Sequence, residues 1–262
     1  MTGILLPAAV LGGVGMLLGA LLGVAAKAFR VERDERTEQI EALLPGANCG
    51  GCGFAGCAAM AQALAEGTAS CEKCAALKVE NRDKIAAILG IAPKETERRA
   101  AAVLCSGTCD KAATKCEYNG ITDCIAAERC GGGEKSCRFA CIGLGSCAGV
   151  CRFHALSVVN GVAHVDTSRC VGCGACAAIC PRHIIRMVTT EKRPLVRCSS
   201  KEKGAEVQAV CKAGCIGCKI CEKNCPVGAV KVVNHLAVID HARCIGCGAC
   251  AEKCPKKVIA FL

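Results

Sequence analysis

The chain has 262 residues, enough for two or three small domains, and carries 28 cysteines, a formal charge of +10, one Tyr, five Phe and no Trp. So few aromatics exclude an ordinary aromatic-rich core, and the length and cysteine spacing argue against a secreted disulfide scaffold. The positive balance invites a nucleic-acid reading, which the cysteine chemistry below undermines.

Residues 4–26 contain no charge and read ILLPAAVLGGVGMLLGALLGVAA, a length that predicts a bilayer-spanning helix. A cleavable signal is disfavoured because no basic residue precedes the run. Lys27, Arg30, Arg33 and Arg36 follow it, so the positive-inside rule predicts a single N-terminal anchor with the bulk of the chain in the cytoplasm. Gly15, Gly19 and Gly23 share one helix face, either as a close-packing surface for another membrane helix or as ordinary membrane-helix glycines.

Residues 31–44 predict a charged helix with Ile40, Leu43 and Leu44 on its apolar side, stopped at Pro45-Gly46. Cys49, Cys52 and Cys57 follow with C-x2-C-x4-C spacing, then a short helix to Gly67, then Cys71 and Cys74. Three close thiolates among glycines, with a distant fourth, suit a [4Fe–4S] cubane. Spacing alone leaves the fourth open between Cys71 and Cys74. Residues 80–89 continue as an amphipathic helix and 93–99 as a polar linker. Cys105, Cys109, Cys116, Cys124 and Cys130 then follow in no assignable pattern. Gly131 to Ser136 lacks the Walker spacing and is read as a turn.

The phrase C-x2-C-x2-C-x3-C-P occurs at Cys215, Cys218, Cys221 and Cys225, and again at Cys244, Cys247, Cys250 and Cys254. This is the bacterial ferredoxin run, in which each cubane takes three thiolates from one copy and one from the other. The sets are therefore Cys215, Cys218, Cys221 with Cys254, and Cys244, Cys247, Cys250 with Cys225. Zinc sites usually pair two CxxC knuckles and lack this crossed phrase. A shift of 74 residues superimposes Cys141, Cys147, Cys151, Cys170, Cys173, Cys176 and Cys180 on the same pattern, so the chain holds two tandem modules. Leu144 stands where Cys218 stands, and Cys137 aligns with Cys211, which predicts Cys137 as the replacement ligand. The first-module sets become Cys137, Cys141, Cys147 with Cys180, and Cys170, Cys173, Cys176 with Cys151. Arg152 replaces the proline expected after Cys151.

Cys71, Cys105, Cys109, Cys116, Cys124, Cys130, Cys198 and Cys211 remain. A sixth cubane from Cys105, Cys124, Cys198 and Cys211 stands open against the default of free buried thiols. The histidines form no Rieske-like pair. Lys192, Arg193, Arg197, Lys201 and Lys203 form a basic run between the modules, either a solvated face or a docking surface for an acidic protein. An oxidised cubane with its four thiolates carries about −2, so about five of them cancel about ten positive charges, and nucleic-acid binding is set aside.

An apolar N-terminal run, then PGANCGGCGFAGC with Cys74, then ferredoxin phrases, resembles the B component of the Rnf complex, the ion-translocating ferredoxin:NAD oxidoreductase, over essentially the whole chain. The resemblance implies Cys74 rather than Cys71 as the last ligand of the first cluster, although Ala75-Ala76 replaces the usual residues after it. It also implies an electron-transfer subunit with no substrate-converting site of its own, working with integral-membrane and flavin-bearing Rnf subunits, soluble ferredoxin and the membrane. No Rossmann fingerprint or polytopic domain supplies the other steps here.

The expected fold is α+β. It comprises a transmembrane helix (1–30), a small helical [4Fe–4S] domain (31–92), a connector (93–136), a first ferredoxin-like module (137–190), a second connector (191–210) and a second module (211–262). Five [4Fe–4S] clusters are expected, with the sixth open, on a chain held at the inner membrane and facing the cytoplasm. The alternative is an iron–sulfur component of a corrinoid or CO-metabolising complex. It shares the element at 45–75 but needs a corrinoid or substrate domain for which no length remains.

Overall fold

The computed structural model describes residues 2–28, 34–92, 97–191 and 193–261. Arg30, Arg33 and Lys192, used in the charge arguments above, lie outside them. The apolar run does form a helix, α1 (Thr2–Ala28). Among the described residues, however, no helix is long and apolar enough to cross a membrane. Glycines at 12, 13, 15, 19 and 23 interrupt the run and add no apolar side chain to it. The expectations of a transmembrane anchor at 1–30 and of single-pass placement in the inner membrane are corrected accordingly.

The next unit packs three helices, α2 (Glu35–Leu43), α3 (Cys57–Ala65) and α4 (Val79–Leu89). Asp34 caps α2 by accepting the Arg36 N–H at 3.0 Å, and Gly90 ends α4 at φ 66°, the left-handed conformation that glycine tolerates best. Ile40, Met60, Leu64 and Ile85 meet between the helices with 0 or 1% exposure. Each contributes about 1.5–3 kcal/mol of burial. A 3-10 turn at Cys71–Lys73 reverses the chain and delivers Cys74 to the loop that carries Cys49, Cys52 and Cys57.

The rest of the chain is two copies of one small design. The first copy contains β1 (Arg99–Val103), α5 (Cys124–Arg129), α6 (Ser146–Gly149), β2 (Leu156–Val159), β3 (Val162–Val165), α7 (Ala175–Ile179) and β4 (Ile185–Thr189). The second contains β5 (Leu195–Val196), α8 (Gly204–Val210), α9 (Ile220–Lys223), β6 (Val230–Val233), β7 (Leu236–Ile239), α10 (Ala249–Glu252) and β8 (Ile259–Ala260). Each copy folds one hairpin, β2–β3 and β6–β7, with Leu156 opposite Val165 and Val230 opposite Ile239. Their two-residue turns, Asn160-Gly161 and Asn234-His235, both take positive φ, as tight hairpin turns require.

Beyond the hairpins, the repeat governs a second strand pair in each copy. β1 runs antiparallel to β4 with Val103 opposite Ile185, and β5 to β8 with Val196 opposite Ile259. Residues 99–129, from within the expected connector, thus supply β1 and α5 to the first copy. The cores of both copies are built largely from Cys, Ala and Val. Such cores bury little apolar area per residue, so they depend on whatever the thiols hold.

Candidate metal centres

Four voids, each about 330–410 Å³ counting their open mouths, are each lined by at least four cysteines drawn from separate stretches of the chain. The first is formed by Cys49, Cys52, Cys57 and Cys74, with Cys173 of the first ferredoxin-like copy at its rim. Asn48, at φ 46°, points its Oδ1 back to accept the Cys57 N–H at 2.7 Å and so fixes the loop against α3. Cys71 does not line this void, whereas Cys74 does. Burial pushes the Cys74 thiol up, and Cys52, Cys49 and Cys57 add to the effect.

The second void gathers Cys215, Cys218, Cys221 and Cys254. Burial, then Cys215 and Cys218, push the Cys221 thiol up to about 11. In the other half of that module, burial raises Cys250, which faces Cys244 and Cys225; Cys247 is exposed on the same loop. Within the first copy, burial pushes Cys176 up to about 12, with Cys170, Cys173, Cys147 and Cys151 as its thiol neighbours in order of effect.

The remaining two voids redistribute the thiols expected of the first copy. Cys124, not Cys137, lines a void with Cys141, Cys147 and Cys180, and burial, Cys141, Cys124 and Cys180 together push Cys147 up to about 11. The local chemistry explains why Cys124 arrives there. Asp123 caps α5 by accepting the Ala126 N–H at 2.8 Å; it also accepts the Ser146 hydroxyl at 2.8 Å, while Ser146 Oγ accepts the Cys124 N–H at 2.7 Å. From the opposite side Arg182 pairs with Glu128 of α5 at 2.5 Å, tying the helix to the turn after Cys180. Ala126 N–H and then Ser146 hold the Asp123 carboxyl below its usual value.

Cys137 instead joins Cys105, Cys198 and Cys211 around a void between the two copies. Cys198 is pushed up to about 11, first by burial. Cys105 Sγ accepts the N–H of Cys141 at 3.4 Å, and Cys198 Sγ accepts the N–H of Cys215 at 3.4 Å. This central set is therefore one backbone contact from Cys141 of the first copy and one from Cys215 of the second. Ser199 Oγ donates to the Leu104 carbonyl at 3.0 Å, and Lys212 N–H to the Lys111 carbonyl at 2.8 Å, joining the copies there.

Sequence reasoning places Cys105, Cys198 and Cys211 together but exchanges Cys124 with Cys137. One available signal is Asp123, a helix-capping residue placed just before Cys124. The repeat is a partial signal: Cys137 aligns with Cys211 and shares its void, but Cys124 aligns with Cys198 and does not. Cys109, Cys116 and Cys130 are exposed, and Cys71 is buried, away from all four voids.

The residues fit iron–sulfur groups. The donors are all thiols, and backbone N–H groups aim at them: Ala101 at Cys170 (3.4 Å), Gly107 at Cys105 (3.4 Å), Ala155 at Cys151 (3.4 Å), Ala229 at Cys225 (3.2 Å) and Gly246 at Cys244 (3.5 Å). Among the described residues, no three His, Cys, Asp or Glu side chains gather closely enough to hold a single metal ion.

Family models agree in kind. Residues 44–76 match a putative Fe-S cluster family, and 169–229 and 214–259 match 4Fe-4S dicluster domains. The chain is 37% identical over 239 residues to the B component of the Na(+)-translocating ferredoxin:NAD(+) oxidoreductase complex of Acetobacterium woodii, covering 91% of this chain and 72% of that protein. It is 41% identical to the B component of the ion-translocating oxidoreductase complex of Methanosarcina acetivorans, over 90% of this chain and 89% of that one. The chain belongs to the B-component family of Rnf-type ion-translocating oxidoreductases. The corresponding component of the proton-translocating ferredoxin:NAD(+) oxidoreductase complex of Clostridium ljungdahlii is 42% identical over 87% of this chain and 81% of its own. As an Rnf-type B component, the chain is an iron–sulfur electron-transfer subunit of an ion-translocating oxidoreductase and carries several [4Fe–4S] groups.

Proposed function

We propose that this protein is an unbranched electron relay with six [4Fe–4S] sites. Three are Cys49, Cys52, Cys57 with Cys74; Cys170, Cys173, Cys176 with Cys151; and Cys141, Cys147, Cys180 with Cys124. The other three are Cys105, Cys137, Cys198 with Cys211; Cys215, Cys218, Cys221 with Cys254; and Cys244, Cys247, Cys250 with Cys225. When bound, such groups supply reversible one-electron chemistry. The protein supplies order, burial and sulfur-directed N–H groups.

The order follows from which sets touch. Gly51 of the first set lies against Cys173 of the second, and Cys176 of the second faces Cys147 of the third. The central set joins the third to the fifth through Cys105 and Cys198. That double contact is the observation that carries the proposal, because without the central set the two ferredoxin-like copies have no thiol between them.

The names of the relatives support soluble ferredoxin as the exchange partner, and further subunits of the same complex as the other. Of the basic run, Lys201 and Lys203 are exposed, whereas Arg193 pairs with Glu191 at 2.7 Å. An acidic carrier would dock through those exposed lysines beside the central set, with an encounter rate that falls as salt rises.

Iron quantitation on fully loaded protein tests the ligand scheme. About 24 iron atoms, four for each of six cubanes, are expected. Cys198→Ser should remove about four of them and Cys71→Ser none. A wild-type content of about 20, unchanged by Cys198→Ser, refutes the central site.

A further inference from the structure

Lys135 is the one buried lysine among the described residues, at 6% exposure. Its ammonium donates to the carbonyl of Cys141 at 3.0 Å and to that of Gly161 at 2.5 Å. Both acceptors are neutral, and no ion pair joins it to a carboxylate among the described residues. A buried ammonium is costly to desolvate, and two carbonyls repay only part of that cost. The remaining compensation has to come from negative charge nearby. The thiol-bearing residues beside it are cysteines of the proposed sets: its ammonium holds the Cys141 carbonyl, and its own segment runs two residues on into Cys137. Cys141 and Cys137 belong to different sets, so the lysine adjoins residues of both the set of Cys124, Cys141, Cys147 and Cys180 and that of Cys105, Cys137, Cys198 and Cys211.

The internal repeat provides a comparison within the same molecule. Shifted by 74 residues, Lys135 becomes Ala209 and Gly161 becomes His235. The two turn carbonyls occupy corresponding places, since a Cβ on Gly143 would meet the Gly161 oxygen at 2.5 Å and one on Gly217 the His235 oxygen at 2.8 Å. In the second copy that carbonyl faces the Cys215 thiol at 4.0 Å, and in the first it accepts from Lys135. The turn is therefore shared, whereas Lys135 lies in an extended segment where the second copy has α8, so the cation belongs to the first copy alone.

We propose that Lys135 is a positioning residue for redox chemistry: its fixed positive charge raises the reduction potentials of the metal groups held by the two flanking cysteine sets. The inference rests on the ligand scheme above. Its physical basis is that reduction adds one negative charge to each group, and a buried cation beside it favours the more negative state. Even at an effective dielectric of about 20, one unit charge within about 10 Å changes a one-electron equilibrium by roughly tenfold or more.

The test is an EPR-monitored redox titration with iron quantitation on the loaded full chain carrying Lys135→Gln, Lys135→Met or Lys135→Arg, with exposed Lys231→Gln as control. With iron retained, the Gln and Met variants should move at least one signal to more negative potential by a factor of about ten in its equilibrium constant, or about 59 mV for one electron. The Arg variant, which keeps the charge, and the control should stay near wild type. Unchanged potentials in an iron-replete Gln variant overturn the proposal. Loss of iron in the Gln and Met variants but not in the Arg variant supports it, because charge rather than shape is then required. Loss in all three overturns it in favour of a purely structural lysine. Failure of the ligand scheme is separately visible, as wild-type iron near 20 before any lysine is changed.

Discussion

Gly51 is the point at which the N-terminal cluster loop touches the first ferredoxin-like copy, and Gly51→Ala tests that contact. A Cβ there would lie 2.7 Å from the Cys173 carbonyl oxygen, 3.0 Å from its Cβ and 3.3 Å from its Cα. Two of these neighbours are backbone, so they cannot swing away as a side-chain tip would. The glycine does not have positive φ, so alanine is conformationally acceptable and the effect isolates the contact. Restoring ordinary separation requires the loops to part by about 0.7 Å or more. That movement also strains the hydrogen bond from Arg152 Nη1 to the Ala47 carbonyl, 2.7 Å long.

Overpacking of this kind costs about 1–3 kcal/mol, equivalent to roughly a 5- to 150-fold rise in the open population of the interface. Amide hydrogen exchange of the loaded protein reads this directly. Residues 47–57 should lose protection by that factor while the hairpins β2–β3 and β6–β7 stay unchanged. Gly149→Ala, at the end of α6 with nothing within 4 Å, is the matched control and should be neutral. Unchanged protection at 47–57 in an iron-replete Gly51→Ala protein would falsify the close apposition of the two units.

Asp123→Ala removes the α5 cap and the link to Ser146; a stability loss of about 0.5–2 kcal/mol is expected, together with about four fewer iron atoms, the content of one cubane, measured by denaturant titration and iron assay. Ile85→Ala empties a fully buried site between α2, α3 and α4 and should cost about 2–5 kcal/mol, visible as loss of exchange protection in 35–89 without change in the ferredoxin-like copies. Chelator stripping should unfold both copies, because their cores are largely cysteine and alanine; retention of the hairpin protection by the apo-chain would contradict this. Stripping at pH 7 should also take up protons, since even an ordinary exposed thiol, with a pKa of about 8.5, is mostly protonated at that pH. By the same sign, reloading should improve as pH rises from 7 to 8.5, and a flat proton balance by pH-stat argues against thiolate ligation.

Much of the fold is legible because it is written in short-range patterns. The crossed cysteine phrases, the 74-residue repeat and the turn at Asn160-Gly161 each depend on residues a few positions apart. The helices of residues 35–89 announce themselves through Ile40, Leu43 and Ile85 on apolar faces and a glycine stop at Gly90. What escapes is long-range. β1 is a run of alanines with little strand character, and it becomes a strand by pairing with β4, over eighty residues later. Cys124 looks patternless because its partners are distant and its position is set by Asp123, Ser146, Glu128 and Arg182 acting together. The apolar N-terminus misleads in the opposite way: the absence of charge dominates its appearance, while its glycines pass for packing details.

The central cysteine set takes two thiols from each copy: Cys105 and Cys137 from one, Cys198 and Cys211 from the other. A group bound there cross-links positions about 90 residues apart, and loop-closure entropy makes such a link worth about 4–5 kcal/mol against the unfolded chain. Neither copy could hold the site if separated. Duplication thus created something absent from either parent unit, a clasp whose occupancy reports that both halves have folded and met.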